Sequence, residues 1–316
     1  MADAITPKRI LITGASGFVG QHLLAALTRA YPAASLIADS FDVTDAHAVS
    51  TAVKAAAPDS CVHLAGIASP VQARSEPDRA WRVNLMGTLN LARAVLAEAP
   101  ACRFLFVSTS EVYGGSFRPG LPLDEAAPLA PMNTYAATKA AADLAIGAMV
   151  NDGLRAIRVR PFNHTGPGQT DAYVVPAFAR QLVRIGAGLQ PPVMKVGALQ
   201  PVRDFVDVRD ICAAYVACLT KSDSDLPPGT ILNLASGSPR RIGDVLDDLS
   251  RIAGVTPDIQ TDALLLRPSD IPRACGDSRL ARRLLGWEPR IPWEQTLTDV
   301  VADWRGRIAL DQAIPA

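Results

Sequence analysis

Residues 9–27 of this chain read RILITGASGFVGQHLLAAL, and they give the strongest indication of the fold class. Its first five residues predict a buried strand, and its last ten predict an amphipathic helix. Between them, Gly14, Gly17 and Gly20 are spaced three residues apart. Glycine at these points permits a tight turn and lets backbone N–H groups approach a pyrophosphate at the helix start. A plain turn is the alternative, but the order strand, turn, helix favours a dinucleotide site.

Through most of the first half of the chain, apolar strands alternate with helical patterns, which is typical of a doubly wound parallel sheet. Strands are predicted near residues 8–13, 35–38, 59–64, 103–108, 155–160 and 231–234. Helices are predicted over 18–30, 46–56, 78–98, 134–152, 207–220, 242–253 and 293–305. We therefore expect a Rossmann-type α/β fold. After Pro161 the chain becomes rich in glycine and proline, which suits a smaller C-terminal substrate-binding lobe.

Two residues on the predicted helix over 134–152 carry the chemistry. Tyr135 and Lys139 are four residues apart, so they share one helix face. A free phenol ionises near pH 10, and a fixed cation one turn away favours the phenolate. The pair therefore predicts a proton donor or acceptor for a carbonyl or carbinol. An exposed helix face is the alternative for this spacing alone.

The strand over 103–108 leads into hydroxyls and a carboxylate, with Thr109 and Glu111 among them. The carboxyl ends of parallel strands face the ligand crevice, so Thr109 is placed to serve the same substrate oxygen as Tyr135. The same hydroxyl could instead cap a turn, a role equally common for threonine.

Composition excludes several classes of function. The 316 residues carry 31 basic and 31 acidic side chains, so no charge excess predicts nucleic acid or an anionic membrane as a partner. The apolar runs are too short for a spanning helix, and the first residues lack a signal-peptide pattern, so we expect a cytoplasmic protein. The five cysteines have no C-x-x-C spacing and the four histidines have no ligand partners at metal spacing. We expect buried thiols and no metal site.

Five motifs follow one another along the chain. They are the glycine turn, HLAG over 63–66, Asn84 within VNLMGT, STSEVYG over 108–114, and Tyr135-x-x-x-Lys139. In these motifs the chain resembles the extended short-chain dehydrogenase/reductase family. Further segments resemble the branch of that family that reduces GDP-linked 4-keto-6-deoxy sugars. These segments are residues 160–169, 196–210, 266–270 and 285–292.

The resemblance implies a division of the chain and a cofactor site. Residues 1–161 plus about 206–234 would form the dinucleotide-binding domain, and about 162–205 plus 235–316 the nucleotide-sugar lobe. With Asp39 added from its spacing, the cofactor-binding residues are Gly14, Gly17, Phe18, Val19, Gly20, Asp39, Asp42, Val43, Leu64, Ala65, Gly66, Asn84, Tyr135, Lys139 and Pro161.

Asp39 bears on the choice of cofactor. It follows the second strand about twenty residues past the glycine turn, where an acid normally binds the adenosine ribose. A carboxylate there repels a 2′-phosphate, and no Arg or Lys follows at once. NAD(H) is therefore favoured over NADP(H). Because the connection to Asp42 is shorter than in the related reductases, Asp42 is the safer residue to place at the adenine.

The resemblance also implies a substrate site. Its members are Glu111, Asn163, Lys195, Arg203, Arg267 and Asp270. Arg203 and Arg267 match positions that contact the diphosphate, and a guanidinium can bind two phosphate oxygens at once. Asp270 stands where relatives often have glutamate, at the guanosine ribose. Two surface arginines are the alternative for the first pair.

The implied reaction is hydride transfer to the C4 ketone, with Tyr135 as proton donor, Thr109 on the same oxygen and Lys139 on the nicotinamide ribose. Glu111 keeps a second reaction open, because nucleotide-sugar 4,6-dehydratases use a glutamate here as a base at C5. A reductase that forms the C4-epimeric 6-deoxy-talose and a nucleotide-binding regulator without chemistry are further alternatives. A homodimer is expected by resemblance, through a four-helix bundle of the helices near 78–98 and 134–152.

Overall fold

The computed structural model describes residues 6–266 and 271–313. The first half contains β1 (Arg9–Thr13), α1 (Phe18–Ala30), β2 (Ser35–Ile37), α2 (Ala46–Ala56), β3 (Ser60–His63), α3 (Pro70–Ser75), α4 (Pro77–Trp81), α5 (Thr88–Glu98), β4 (Arg103–Val107) and α6 (Thr134–Met149). The second half contains β5 (Ala156–Pro161), β6 (Asn163–Thr165), α7 (Val174–Gly186), β7 (Val193–Val196), β8 (Val202–Arg203), β9 (Phe205–Asp207), α8 (Val208–Thr220), β10 (Ile231–Leu234), β11 (Arg240–Arg241), α9 (Ile242–Ala253), β12 (Asp258–Thr261), β13 (Arg273–Ala274), α10 (Arg279–Leu285) and α11 (Trp293–Ala313). A π-helical turn covers Arg82–Gly87, and 3₁₀ helices cover Ser110–Phe117 and Ala263–Leu265.

The central sheet has six strands in the order β10-β5-β4-β3-β1-β2, and all of its pairs are parallel. All six strands predicted from sequence are present, which confirms the doubly wound α/β fold. The strand order reverses beside β1, so the carboxyl ends of β1 and β3 open a crevice. The glycine turn and the HLAG segment follow these two strands directly.

Burial explains why these segments form a parallel sheet. The strand β3 is buried at every residue, as expected for a strand covered on both faces. One face is covered by α1 and α8, whose apolar residues join those of the sheet in one cluster. The other face is covered by α2, α5 and α6.

A second apolar core lies outside the sheet and is formed mainly by α7, α9 and α11. Small sheets flank it: β7 pairs with β12, β8 lies between β11 and β13, and β6 pairs with β9. The helix α7 was not predicted, although Val175, Phe178, Ala179 and Leu182 are spaced three or four residues apart and are buried. Residues 279–287 pack on the core of the sheet rather than on this second core.

The predicted helix over 78–98 is wrong in one detail. Its middle is a π-helical turn, with α4 before it and α5 after it. Such turns are frequent at functional sites, and this one contains Asn84. Among the described residues, no helix has the length and apolar content needed to cross a bilayer. The five cysteines are buried free thiols.

Candidate active site

The glycine turn between β1 and α1 is tightly packed. Gly14 has φ +73°, and a Cβ on it would lie 2.7 Å from the backbone nitrogen of Ala65. A Cβ on Gly20 would lie 2.5 Å from the carbonyl oxygen of Ala15. Both positions therefore require glycine. The helix α1 begins after Gly17 without a side-chain cap, so its first N–H groups are available to an anion such as a pyrophosphate.

The segment after β2 holds the two acids assigned to the adenosine end of the cofactor. Asp39 is exposed and follows an edge strand. Asp42 is also exposed, and its Oδ1 accepts hydrogen bonds from the backbone nitrogen and hydroxyl of Thr44, both at 2.8 Å. These bonds lower the pKa of Asp42. Val43 is buried, and its carbonyl oxygen accepts a 3.1 Å hydrogen bond from Asn90.

The segment after β3 is fixed by Asn84. Its Oδ1 accepts from the backbone nitrogen of Ile67 at 2.7 Å, and its Nδ2 donates to the carbonyl oxygen of Ile67 at 3.1 Å. Nδ2 also donates to the Thr138 hydroxyl on α6 at 3.0 Å. Asn84 therefore connects the turn after Gly66 with the helix that carries Tyr135, and it is 1% exposed.

A buried polar chain continues from Asn84 towards the glycine turn. The Thr88 hydroxyl donates to the carbonyl oxygen of Asn84 at 2.7 Å and lies 2.9 Å from Nε2 of His63. The other ring nitrogen of His63 lies 2.7 Å from the hydroxyl of Thr13, at the end of β1. Burial, with the charge of Lys139 adding to it, lowers the pKa of His63 to about 3, so the ring is neutral. The chain links the cofactor turn to α6 without a buried charge.

The three catalytic candidates meet at the carboxyl end of β4. Thr109 is 8% exposed, and its Oγ1 accepts from the backbone nitrogen of Glu111 at 3.2 Å, which caps the following 3₁₀ helix. Thr109 thus caps a turn, and it also lowers the pKa of Tyr135. Its contact with the substrate oxygen stays a prediction. The Lys139 ammonium donates to the carbonyl oxygen of Val107, the last residue of β4, at 2.6 Å.

The expectation that Lys139 favours the Tyr135 phenolate is corrected by the structure. Burial raises the pKa of Tyr135, the charge of Glu111 raises it further, and the hydrogen bond with Thr109 lowers it. The ammonium of Lys139 is turned to Val107 and lies 4.4 Å above the Phe106 ring. Burial lowers the pKa of Lys139 to about 8, against the charge of Asp143, which raises it. Tyr135 and Lys139 share one face of α6, but this spacing did not determine which groups their side chains contact.

Asp143 anchors the catalytic helix to the sheet. Its carboxylate is fully buried and forms a two-pronged ion pair with Arg160 of β5, with both contacts at 2.9 Å. Arg158 adds a further contact at 3.1 Å. The two guanidinium groups lower the pKa of Asp143 although burial raises it. The ion pair thus ties α6, and with it Lys139 one turn away, to β5.

Glu111 is held beside Tyr135 by a residue that the sequence analysis missed. Nδ2 of Asn133 donates to Oε2 of Glu111 at 3.0 Å, while Oδ1 of Asn133 accepts from the backbone nitrogen of Ala136 at 2.8 Å. The position of an asparagine at the predicted start of the helix was the available signal. Burial lowers the pKa of Arg203, and the charge of Glu111 acts against that shift. Arg203 therefore lies near the same carboxylate.

The other residues predicted to bind the substrate are spread over several elements. Asn163 begins β6, directly after the end of β5 that borders the crevice, and is exposed. Lys195 is exposed on β7, where its backbone nitrogen and carbonyl oxygen both bond to the side chain of Gln181. Arg267 and Asp270 lie outside the described residues. Pro161 is buried at the end of β5, and Phe18, Val19 and Leu64 are partly buried around the glycine turn.

Comparisons with known proteins agree with this geometry. Residues 10–235 match the NAD dependent epimerase/dehydratase family. The GDP-6-deoxy-D-mannose reductase of Pseudomonas aeruginosa is 34% identical over 304 residues, which cover 95% of this chain and 98% of that protein. The solved structure of RMD from Pseudomonas aeruginosa complexed with NADPH superposes with a TM-score of 0.87 at 34% identity, covering 95% of this chain and 99% of that one.

A second solved structure is more distant. The UDP-glucose 4-epimerase of Thermus thermophilus in complex with NAD gives a TM-score of 0.81 at 26% identity, covering 94% of this chain and 99% of that one. The similarity thus extends over both apolar cores. The motifs, the fold and these matches agree with the resemblance stated above, and the chain belongs to the NAD dependent epimerase/dehydratase family, within the extended short-chain dehydrogenases/reductases.

Proposed function

We propose that this protein reduces the C4 ketone of GDP-4-keto-6-deoxy-D-mannose to GDP-6-deoxy-D-mannose, with a reduced nicotinamide nucleotide as hydride donor. The observation that carries the proposal is the grouping of Thr109, Tyr135 and Lys139 at the end of β4, beside the glycine turn. The full-length similarity to a GDP-6-deoxy-D-mannose reductase supports the choice of substrate.

The glycine turn fits a dinucleotide, because a Cβ at Gly14 or Gly20 would fill the space next to the first N–H groups of α1. The bound cofactor supplies the hydride that adds to C4. Tyr135 then gives its phenolic proton to the former carbonyl oxygen, so a C–H and an O–H bond replace the C=O π bond. Thr109 donates to the same oxygen, and Lys139 binds the nicotinamide ribose. Together they stabilise the negative charge that develops on the oxygen.

The proposed reaction needs a protonated Tyr135 at its start. A reductase must begin with a protonated phenol, whereas a 4,6-dehydratase begins by oxidising C4 and needs a base at this position. Burial and the charge of Glu111 both raise the pKa of Tyr135 and keep its proton in place. The dehydratase nevertheless remains the main enzymatic alternative, because Glu111 occupies the position of its C5 base.

An absorbance assay separates the alternatives. We expect stoichiometric oxidation of NADH, followed at 340 nm, when GDP-4-keto-6-deoxy-D-mannose is added. Conversion of GDP-mannose without net change of cofactor would support the dehydratase instead. Binding without turnover of either compound would support a regulator. NMR of the product distinguishes the 6-deoxy-mannose from its C4 epimer, 6-deoxy-talose.

NADH is proposed as the preferred cofactor. The support is Asp39, an exposed acid at the end of β2, which would repel a 2′-phosphate. The related structure from Pseudomonas aeruginosa contains NADPH, so the two cofactors need direct comparison. We expect kcat/KM to be at least about tenfold higher with NADH, and Asp39→Ser to reduce that ratio severalfold. Equal or better use of NADPH by the unaltered protein would contradict this assignment.

Three further parts of the proposal concern the whole chain. Residues 162–205 and 235–316 are taken as the part that holds the nucleotide sugar, supported by the position of Arg203 near Glu111. A homodimer through a bundle of four helices is supported by exposed apolar side chains on α4, the π-helical turn and α6. These are Trp81, Met86 and Leu144. A cytoplasmic location stays a prediction, tested by cell fractionation.

A further inference from the structure

Asn133 makes two different hydrogen bonds with one side chain, immediately before α6. Its Oδ1 accepts from the backbone nitrogen of Ala136 at 2.8 Å, which caps the helix carrying Tyr135. Its Nδ2 donates to Oε2 of Glu111 at 3.0 Å, across a separation of 22 residues. A serine or aspartate would also cap the helix, but neither offers an amide N–H at this distance. The second bond is therefore specific to the asparagine.

The carboxylate that Asn133 holds lies among the groups that would meet the substrate. The backbone nitrogen of Glu111 donates to Oγ1 of Thr109 at 3.2 Å, which ties Glu111 to the segment after β4. Tyr135 lies two residues after Asn133, at the start of α6, and the charge of Glu111 raises the pKa of its phenol. One amide thus fixes both the start of the helix that carries the proton donor and the carboxylate beside it.

We propose that Asn133 is a positioning residue, which fixes the Glu111 carboxylate where it accepts hydrogen bonds from the hydroxyls of the nucleotide sugar while Tyr135 is held for its ketone. This inference rests on the proposed function and adds to it a role for Glu111. In this role the carboxylate is an anchored anion and does not exchange protons with the sugar. Because the same side chain caps α6, the Glu111 carboxylate and the proton donor keep one fixed separation.

The exchange Asn133→Ser separates the two bonds. Serine is an equally good N-cap, so the melting temperature should stay within about 2 °C of the unaltered protein. Its side chain is too short to replace the amide bond to Glu111. The released Glu111 side chain must then be ordered when the sugar binds, which predicts up to about a tenfold rise in the Kd of GDP-mannose, measured by calorimetry with cofactor present. In the reductase assay, KM for the keto sugar should rise by a similar factor while kcat falls less.

A double-mutant cycle tests whether Asn133 acts through Glu111. We expect Glu111→Ala to weaken GDP-mannose binding at least as much as Asn133→Ser does. The combined variant should then be no worse than Glu111→Ala alone, within about threefold. Matched controls are Asn151→Ser, at an exposed asparagine beyond the other end of α6, and Glu98→Ala, at an exposed glutamate whose Oε1 lies 3.4 Å from Oγ of Ser50 on α2. Neither control should change Kd.

Two results would overturn the inference. One is unchanged GDP-mannose affinity in a folded Asn133→Ser variant, and the other is losses that multiply in the combined variant. Failure of the proposed function is a separate result, because it is measured as absent NADH oxidation by the unaltered protein. The affinity cycle uses GDP-mannose as its probe and gives its answer without turnover.

Discussion

At the residue scale, Tyr135 is a phenol that the protein keeps protonated. Burial and Glu111 raise its pKa, so in the reductive direction it begins the reaction as an acid. We expect Tyr135→Phe to lower kcat by at least about 10²-fold, because the phenyl ring cannot deliver the proton. The Kd of NADH, followed by fluorescence titration, should change less than about twofold.

The matched control for this exchange is Tyr31→Phe. The hydroxyl of Tyr31 donates to the carbonyl oxygen of Val216 at 3.3 Å, away from the crevice. Its removal should leave kcat unchanged. Turnover by Tyr135→Phe at the rate of the unaltered protein would mean that another group supplies the proton.

The ionisation of Lys139 should make kcat/KM for NADH depend on pH. Its pKa is lowered to about 8 by burial, so the ammonium loses its proton as the pH rises through that value. If the charged form binds the ribose, kcat/KM for NADH should be constant below about pH 7 and should fall up to tenfold per unit well above pH 8. Lys139→Arg, although slower, should show no such fall, because a guanidinium stays charged. A flat profile up to about pH 9.5 would contradict the role given to Lys139.

The same lysine affects stability in a defined direction. Its pKa in the folded state is about 8, below its ordinary value of 10.5, so the unfolded chain keeps the proton to higher pH. The burial of the charged form destabilises the fold fully below about pH 8, and this penalty is relieved as the pH rises towards 10.5. Other groups titrate in the same range, so the kinetic profile is the cleaner measurement.

At the element scale, the turn between β1 and α1 depends on the contact between Gly14 and the segment after β3. A methyl group at Gly14 would meet the backbone of Ala65 at 2.7 Å, and the residue also has φ +73°. We expect Gly14→Ala to weaken NADH binding by more than about tenfold, because the turn must move away from the pyrophosphate position. Fluorescence titration measures this affinity.

Gly188 supplies a control with the same backbone strain. Its φ is +72°, but a Cβ there would have nothing within 4 Å. Gly188→Ala should therefore lower the melting temperature slightly without changing the Kd of NADH. Equal effects of the two exchanges on NADH affinity would show that backbone strain, and not the contact with Ala65, explains the loss.

The π-helical turn between α4 and α5 is a second feature at this scale. It places Asn84 where one amide bonds both the segment after Gly66 and Thr138 of α6. A regular helix over the same residues would rotate Asn84 relative to these partners, since the π-helical turn shifts the hydrogen-bond pattern by one residue. The π-helical turn therefore helps to fix the position of α6 through the hydrogen bond between Asn84 and Thr138.

At the scale of the whole molecule, exposed apolar side chains mark the proposed dimer surface. Leu144 is 60% exposed on α6, and Trp81 and Met86 are 39% and 44% exposed on the neighbouring helical segments. We expect light scattering to give twice the chain mass of 33.4 kDa. Leu144→Lys should shift the protein towards a monomer, because a charge would be buried in the interface.

Leu310→Lys is the control for this exchange. Leu310 is 68% exposed on α11, outside the proposed bundle. A lysine there should leave the mass unchanged. A dimer that survives Leu144→Lys would place the interface on another surface.

Some features of this protein could be predicted from the pattern of neighbouring residues alone. The six strands follow from short apolar runs, the dinucleotide site from the spacing of Gly14, Gly17 and Gly20, and the catalytic pair from the separation of Tyr135 and Lys139. Local spacing fixes these because a helix face or a tight turn is set by neighbouring residues alone. The six strands are confirmed, whereas the roles of the site residues stay predictions.

Other features depend on partners that are distant along the chain, and these are visible only in the folded protein. The amide of Asn133 meets a carboxylate 22 residues away, and Lys139 donates to Val107 on a strand rather than to Tyr135. The direction of the pKa shift of Tyr135 followed from burial and from Glu111. Packing of α6 against β4 brings these groups together. Burial then determines how strongly nearby charges act on them. Neither the packing partners of these groups nor their burial can be obtained from spacing along the chain.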